Sequence, residues 1–222
     1  MRILDNMRLT TLYQGKTHPR EDANIRAIAY RTIEEVRLRK VAYGGKCIRG
    51  RSNSLPNHPN CTAPDVTFNK VRSVLIDQDF VSRRCKDGHD WAIIELEEPI
   101  EFTDSTHPIC LPSRKPIIGN VLTVAGWGRS YGVECFVLKL PSDADDFLCA
   151  TSLNKNDYFA PRTCHGDSGS GMEQIDERGR SVLIALTSFG TLGCPANELA
   201  RFTRVDPYLK PICTYTGICY ST

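Results

Sequence analysis

Cys164-His165-Gly166-Asp167-Ser168-Gly169-Ser170-Gly171 is the stretch on which the fold turns. A serine hydroxyl attacks an amide only when a base takes its proton and N–H donors stabilise the oxyanion. Glycine beside the serine lets the backbone turn tightly enough for those N–H groups to converge. A plain Gly/Ser turn has the same composition, so the segment is decisive only together with its surroundings.

Outward from it, the chain reads as short strands separated by Gly, Pro and Ser. Ser181 to Phe189 and Val121 to Ala125 are candidate strands, and Trp91 to Leu96 is a short apolar run closed by Pro99. That run is too short for a buried helix and is rich in Ile and Trp, which favours a strand. From Val66 to Phe80 apolar and polar residues alternate, as in one or two half-buried strands. Thr32 to Lys40 fits a strand or a short helix, and 49–65 is a Pro/Asn/Ser-rich loop. Pro207 suits the first turn of a helix that Pro211 is expected to keep short. No internal repeat or low-complexity segment is present. Many short strands with turn signals predict an all-β sandwich or barrel.

Composition narrows the classes. The 222 residues carry a formal net charge of +2. Basic residues are scattered, so the electrostatic footprint of a nucleic-acid or membrane-surface protein is missing. No apolar run is long enough to span a bilayer. The ten cysteines include no C-x-x-C pair, so zinc-ribbon and thioredoxin-like readings lose their signature, and no cofactor or metal is expected. An even number of dispersed cysteines fits disulfides made in an oxidising compartment. Asn60-Cys61-Thr62 adds a glycosylation sequon. A secreted protein is therefore expected, although Met1-Arg2-Ile3-Leu4 does not read as a leader and is not expected to be the natural start.

In chain order, six further stretches give the nucleophile segment its context. Asp90-Trp91-Ala92-Ile93-Ile94-Glu95-Leu96 resembles the D-I-A-L-L-x-L strand of trypsin/chymotrypsin-like serine proteases. Pro108-Ile109-Cys110-Leu111-Pro112 matches their P-I-C-L-P, and Gly126-Trp127-Gly128 their G-W-G turn. Cys164 to Gly171 resembles C-x-G-D-S-G-G-P, with Ser170 and Gly171 in the last two places. Ser188-Phe189-Gly190 is similar to S-W-G, Cys194 to the cysteine after it, and Phe202-Thr203-Arg204-Val205 to Y-T-R-V. The α/β-hydrolase alternative fails, because position 170 is Ser where G-x-S-x-G requires Gly and no histidine follows Ser168.

The resemblance implies a double Greek-key β-barrel with a short C-terminal helix. Residues 1–115 would form a partial first barrel, 116–212 the second barrel with the nucleophile, and 213–222 a Cys-containing tail. Only six residues separate Gly128 from Cys135, so a strand of the second barrel is expected to be missing. By family role, Ser168 is the nucleophile and Asp90 the carboxylate that orients the base. The N–H groups of Gly166 and Ser168 form the oxyanion hole. Arg162, six positions before Ser168, lies on the pocket floor, with Gly190 and Ala200 as walls. The implied disulfides are Cys164–Cys194 and Cys135–Cys149.

The base is the gap. No T-A-A-H-C segment precedes Asp90. His89 adjoins the aspartate, His107 follows it, His165 sits in the nucleophile loop and His58 in a Pro/Asn loop. His18 has the right chain order, with too little chain before it for the two strands that should lead there. Lys46-Cys47 takes the histidine's place by spacing, but a protonated lysine is a poor acceptor at neutral pH. The family's activating I-V-G-G is also missing from the chain. The expectation is a serine endopeptidase homologue, inactive as written, with a protein or peptide as its substrate or ligand. An active endopeptidase with an unrecognised base and a non-catalytic binding protein remain as alternatives.

Overall fold

The structure is a computed structural model. It describes residues 7–10, 33–45, 65–82, 88–104, 106–113, 121–126, 133–138, 146–154, 156–157, 160, 162–190, 194–195 and 197–219; at 7–10, 81–82, 121 and 133–138 only the backbone is described. Two antiparallel systems follow one another in the chain. Strands β1 (Met7–Thr10), β2 (Lys40–Tyr43), β3 (Thr67–Ile76) and β4 (Ala92–Leu96) form an open sheet in the order β1-β4-β3-β2. The strands β5 (Val121–Val124), β6 (Val133–Leu138), β7 (Phe147–Ser152), β8 (Gly171–Ile175), β9 (Ser181–Phe189) and β10 (Ala200–Arg204) close into a barrel, β10-β7-β6-β5-β8-β9. The architecture is trypsin-like, with a curled half-barrel, a closed barrel and few helices.

The apolar runs that stood out in the sequence are strands buried on both faces. In β4, Ile93 packs with Leu183, Leu186, Tyr208 and Ile212, while Ile94 and Leu96 pack with Val71. In β9, Val182 and Ile184 fill the barrel with Leu122, Met172 and Phe202, while Leu183 and Leu186 face the β4 side. A strand covered on one face only would alternate. β3, with one side open, does alternate over its first half.

Three sequence expectations change. The second barrel is not short of a strand: β6 pairs with β5 and β7 and completes the closure, although little chain precedes it. The stretch from Thr32 resolves into both alternatives in turn, a one-turn helix α1 (33–37) and then β2 from Lys40. The final helix is short, as expected, but Pro211 does not end it. After a 3-10 turn (Asp206–Tyr208), α3 (Leu209–Thr216) has Pro211 in its first turn, where no N–H partner is required. The helix ends on Gly217 at φ 71°, whose N–H caps the Cys213 carbonyl, and a Cys213–Cys219 disulfide closes the same turn. Between β3 and β4 lies the short helix α2 (Gln78–Ser82). Among the described residues no helix is long and apolar enough to cross a membrane.

Candidate active site

The nucleophile segment leads into β8 and is strapped to β9. Gly169 N–H donates to the Thr187 carbonyl at 2.8 Å, Thr187 N–H to the Ser170 carbonyl at 2.9 Å, and the Ser170 and Thr187 hydroxyls meet at 2.8 Å. Gly166 (φ 98°) and Gly169 (φ 82°) take the left-handed conformations that the turn needs. Ser168 is left exposed between them. Neither Gly166 N–H nor Ser168 N–H donates to a backbone carbonyl among the described residues.

Asp167 points inward instead. Its carboxylate accepts the Cys164 N–H at 2.9 Å and lies against Gly126, where an added Cβ would fall 2.4 Å from Oδ1. The first glycine of Gly126-Trp127-Gly128 is thus fixed by Asp167; Trp127 and Gly128 lie outside the described residues.

Asp90 heads β4 and is 3% exposed. Ser188 Oγ donates to its Oδ2 at 2.5 Å. The same residue's carbonyl accepts from Ser168 Oγ at the long distance of 3.5 Å. Ser188 therefore touches both the candidate nucleophile and the candidate orienting carboxylate, from opposite ends of one residue. The turn that delivers Asp90 is held from behind by Asp146, a buried carboxylate at the start of β7. Its Oδ2 accepts His89 N–H at 2.6 Å and Tyr208 O–H at 2.5 Å. Burial first, and then the Asp146 carboxylate, push the Tyr208 phenol far above its ordinary range, so it stays a donor. Gly88 (φ 87°) is required there, since a Cβ would sit 2.0 Å from Asp146 Oδ1. Ser188 was visible in a motif; Asp146 and Tyr208 carried no sequence signal for this role.

No imidazole joins Asp90 to Ser168 among the described residues. His89 turns the other way, with Nδ1 3.2 Å from Asp77 and its ring edge-on to Tyr208. His107 Nε2 contacts the Asp104 carbonyl at 2.9 Å. His165 is exposed beside the Cys164–Cys194 sulfurs. His18, His58 and Lys46 lie outside the described residues.

Arg162 Nε donates to the Cys194 carbonyl and Nη1 to the Ala160 carbonyl at 3.1 Å, which ties the side chain to its own loops. Gly190 and Ala200 are neighbours across the β9–β10 edge, with an ideal Gly190 Cβ 3.6 Å from the Ala200 Cβ.

Cys164 is joined to Cys194. The expected Cys135–Cys149 bridge is not formed: Cys149 is a buried thiol on β7. The β6–β7 register pairs Cys149 with Leu138 and Cys135 with Ser152. That offset of three residues is roughly 10 Å along a strand, beyond disulfide reach. Burial raises the Cys149 pKa, against the pull of nearby Arg201.

Comparison with known proteins agrees with this geometry. The chain is 27% identical over 168 residues to transmembrane protease serine 11B of Homo sapiens, covering 67% of this chain and 40% of that one. It is 26% identical over 211 residues to the CLIP domain-containing serine protease B8 of Anopheles gambiae, covering 78% and 51%. Serine proteinase stubble of Drosophila melanogaster is 30% identical over 149 residues, covering 54% and 18%. The chain thus spans at most about half the length of these relatives. The Trypsin family profile matches residues 58–212, more than half of the chain and the whole of the segment that carries Asp90, Ser168 and Ser188, and the chain therefore belongs to the trypsin family of serine proteases.

Proposed function

We propose that this chain is a serine endopeptidase homologue that receives protein or peptide segments in its cleft without hydrolysing them. One observation carries the reading. Ser168 Oγ is directed at the Ser188 carbonyl, His89 and His107 are engaged elsewhere, and His165 lies beside the Cys164–Cys194 sulfurs. A carbonyl accepts the hydroxyl proton as a hydrogen bond but is far too weak a base to remove it. Without a base, the expected remainder is the catalysis that oxyanion donors and binding alone provide, about 10³–10⁴ over water.

The second reading is an active serine endopeptidase. The Gly166 and Ser168 N–H groups, which donate to no backbone carbonyl among the described residues, and the buried Asp90–Ser188 pair favour it, with His18 or His58 as the base. Two disulfides in the described residues support secretion. Arg162 supports a pocket that rejects basic side chains, because a guanidinium at the floor repels a like charge and can pair with a carboxylate.

The test is a peptide panel varied at the residue that enters the pocket, read for both binding and cleavage. Saturable binding without product is expected, with Lys and Arg disfavoured. A preference for Asp or Glu that disappears in Arg162→Ala supports the pocket assignment. A clear Lys/Arg preference contradicts that assignment, and turnover abolished by Ser168→Ala contradicts the silent site.

A further inference from the structure

On the far side of the Asp90 turn, three side chains outside the serine site converge. Asp77 follows β3, Asp79 lies in α2, and His89 immediately precedes Asp90. We propose that His89 and Asp79 bind a divalent metal ion of the zinc class, with Asp77 as the carboxylate that orients the imidazole.

His89 Nδ1 is 3.2 Å from Asp77 Oδ2, a hydrogen-bonding distance. With the proton on Nδ1, the Nε2 lone pair is left for a ligand. A histidine that ligates zinc commonly donates its other N–H to a carboxylate in this way, which fixes tautomer and ring plane. Asp77 is itself fixed, since its Oδ1 accepts Asp79 N–H at 2.8 Å.

Nε2 in turn faces Asp79 Oδ2 at 3.9 Å. That gap is too wide for a hydrogen bond. It is close to the separation of two donor atoms on one ion, given zinc–nitrogen and zinc–oxygen bonds of about 2.0–2.2 Å. The three groups offer one ligand atom each within 4.8 Å of one another. Burial is graded to suit the roles: the Asp77 side chain is 14% exposed, His89 25% and Asp79 51%. The orienting group is inside, and the outer ligand opens to water that would complete the coordination.

The imidazole cannot swing away freely. His89 sits at φ 60°, its N–H is held by Asp146, and its ring rests edge-on against Tyr208. Ligand chemistry selects the class of ion. Imidazole plus carboxylate suits zinc and its neighbours, whereas calcium and magnesium prefer oxygen ligands alone. The other mixed group, Cys164, His165 and Cys194, lacks thiolates because its cysteines are bonded to each other.

The experiment is calorimetric titration of the oxidised full chain with zinc chloride, repeated with calcium chloride. One zinc per chain is expected and no calcium at comparable concentration. Asp79→Asn, at an exposed position, should weaken zinc at least about tenfold, and Asp77→Asn about 10–100-fold as an outer-shell loss. His89→Asn should abolish binding while tolerating the left-handed backbone; if that variant does not fold, Asp79→Asn decides. His165→Gln should bind as the parent does. Absence of one-to-one zinc binding, zinc affinity unchanged in Asp79→Asn, or loss of binding in His165→Gln overturns the proposal.

Discussion

Asp146 governs the geometry of the candidate site from outside it. Its single Oδ2 satisfies both the His89 amide and the Tyr208 hydroxyl, and it leaves Gly88 no room for a side chain. Asp146→Ala strands two donors, each worth about 1–3 kcal/mol when left unsatisfied. We expect a loss of about 2–4 kcal/mol in chemical denaturation, together with displacement of Asp90 from Ser188. An unchanged midpoint would remove Asp146 from this role. The sequence signalled Asp90 and Ser188 because each heads a recognisable run, but contacts reaching 57 and 62 positions from Asp146 leave no local pattern. Arg162 was readable by counting from Ser168. Its tie to the Cys194 carbonyl depends on where a distant loop falls.

The clearest local element is the β8–β9 hairpin. Asp176 N–H donates to the Arg180 carbonyl, Gly179 takes φ 73°, and the Asp176 carboxylate collects Arg178 N–H, Arg180 N–H and the Arg180 guanidinium. The Arg180 side chain first, then the backbone donors, hold the Asp176 pKa down to about 2. The folded value lies below the roughly 3.9 of an unperturbed aspartate. The contribution of this group is therefore complete above that value and is lost as pH falls through about 2. Carboxyl NMR should find Asp176 titrating near 2 and returning toward the ordinary value in Arg180→Ala; an ordinary value in the parent chain would contradict the hairpin contacts. Register is where sequence reading failed at this scale. The family resemblance implied Cys135–Cys149, yet pairing is set by the ladder, which opposes Cys149 to Leu138. Non-reducing peptide maps should show Cys164–Cys194 and Cys213–Cys219, with Cys149 reduced and slow to alkylate until unfolding. A recovered Cys135–Cys149 peptide would mean that β6 is shifted.

Across the molecule, the curled sheet and the barrel share one apolar seam. Trp91 and Ile93 from the first meet Leu183 and Leu186 from the second, and Tyr208 and Ile212 cover the join. Ile212→Ala opens a cavity at that seam and should cost about 2–5 kcal/mol, seen as parallel loss of Trp91 fluorescence structure and barrel circular dichroism in one transition. Separate transitions would show that the seam does not couple the halves. The strands of the seam were legible, as the short runs Trp91–Leu96 and Ser181–Phe189. Barrel closure was not, because β6 occupies a stretch that reads as too short for it. The same seam brings Asp90 to Ser188 and the strapped Ser168 loop, assembling a candidate serine site in which the described residues supply no proton acceptor. Labelling with a fluorophosphonate tests that claim most directly, because the probe reacts only with an activated serine. We predict no modification of Ser168 above the level of a Ser168→Ala control, whereas stoichiometric labelling abolished by that substitution would show that a base is in place and contradict the account.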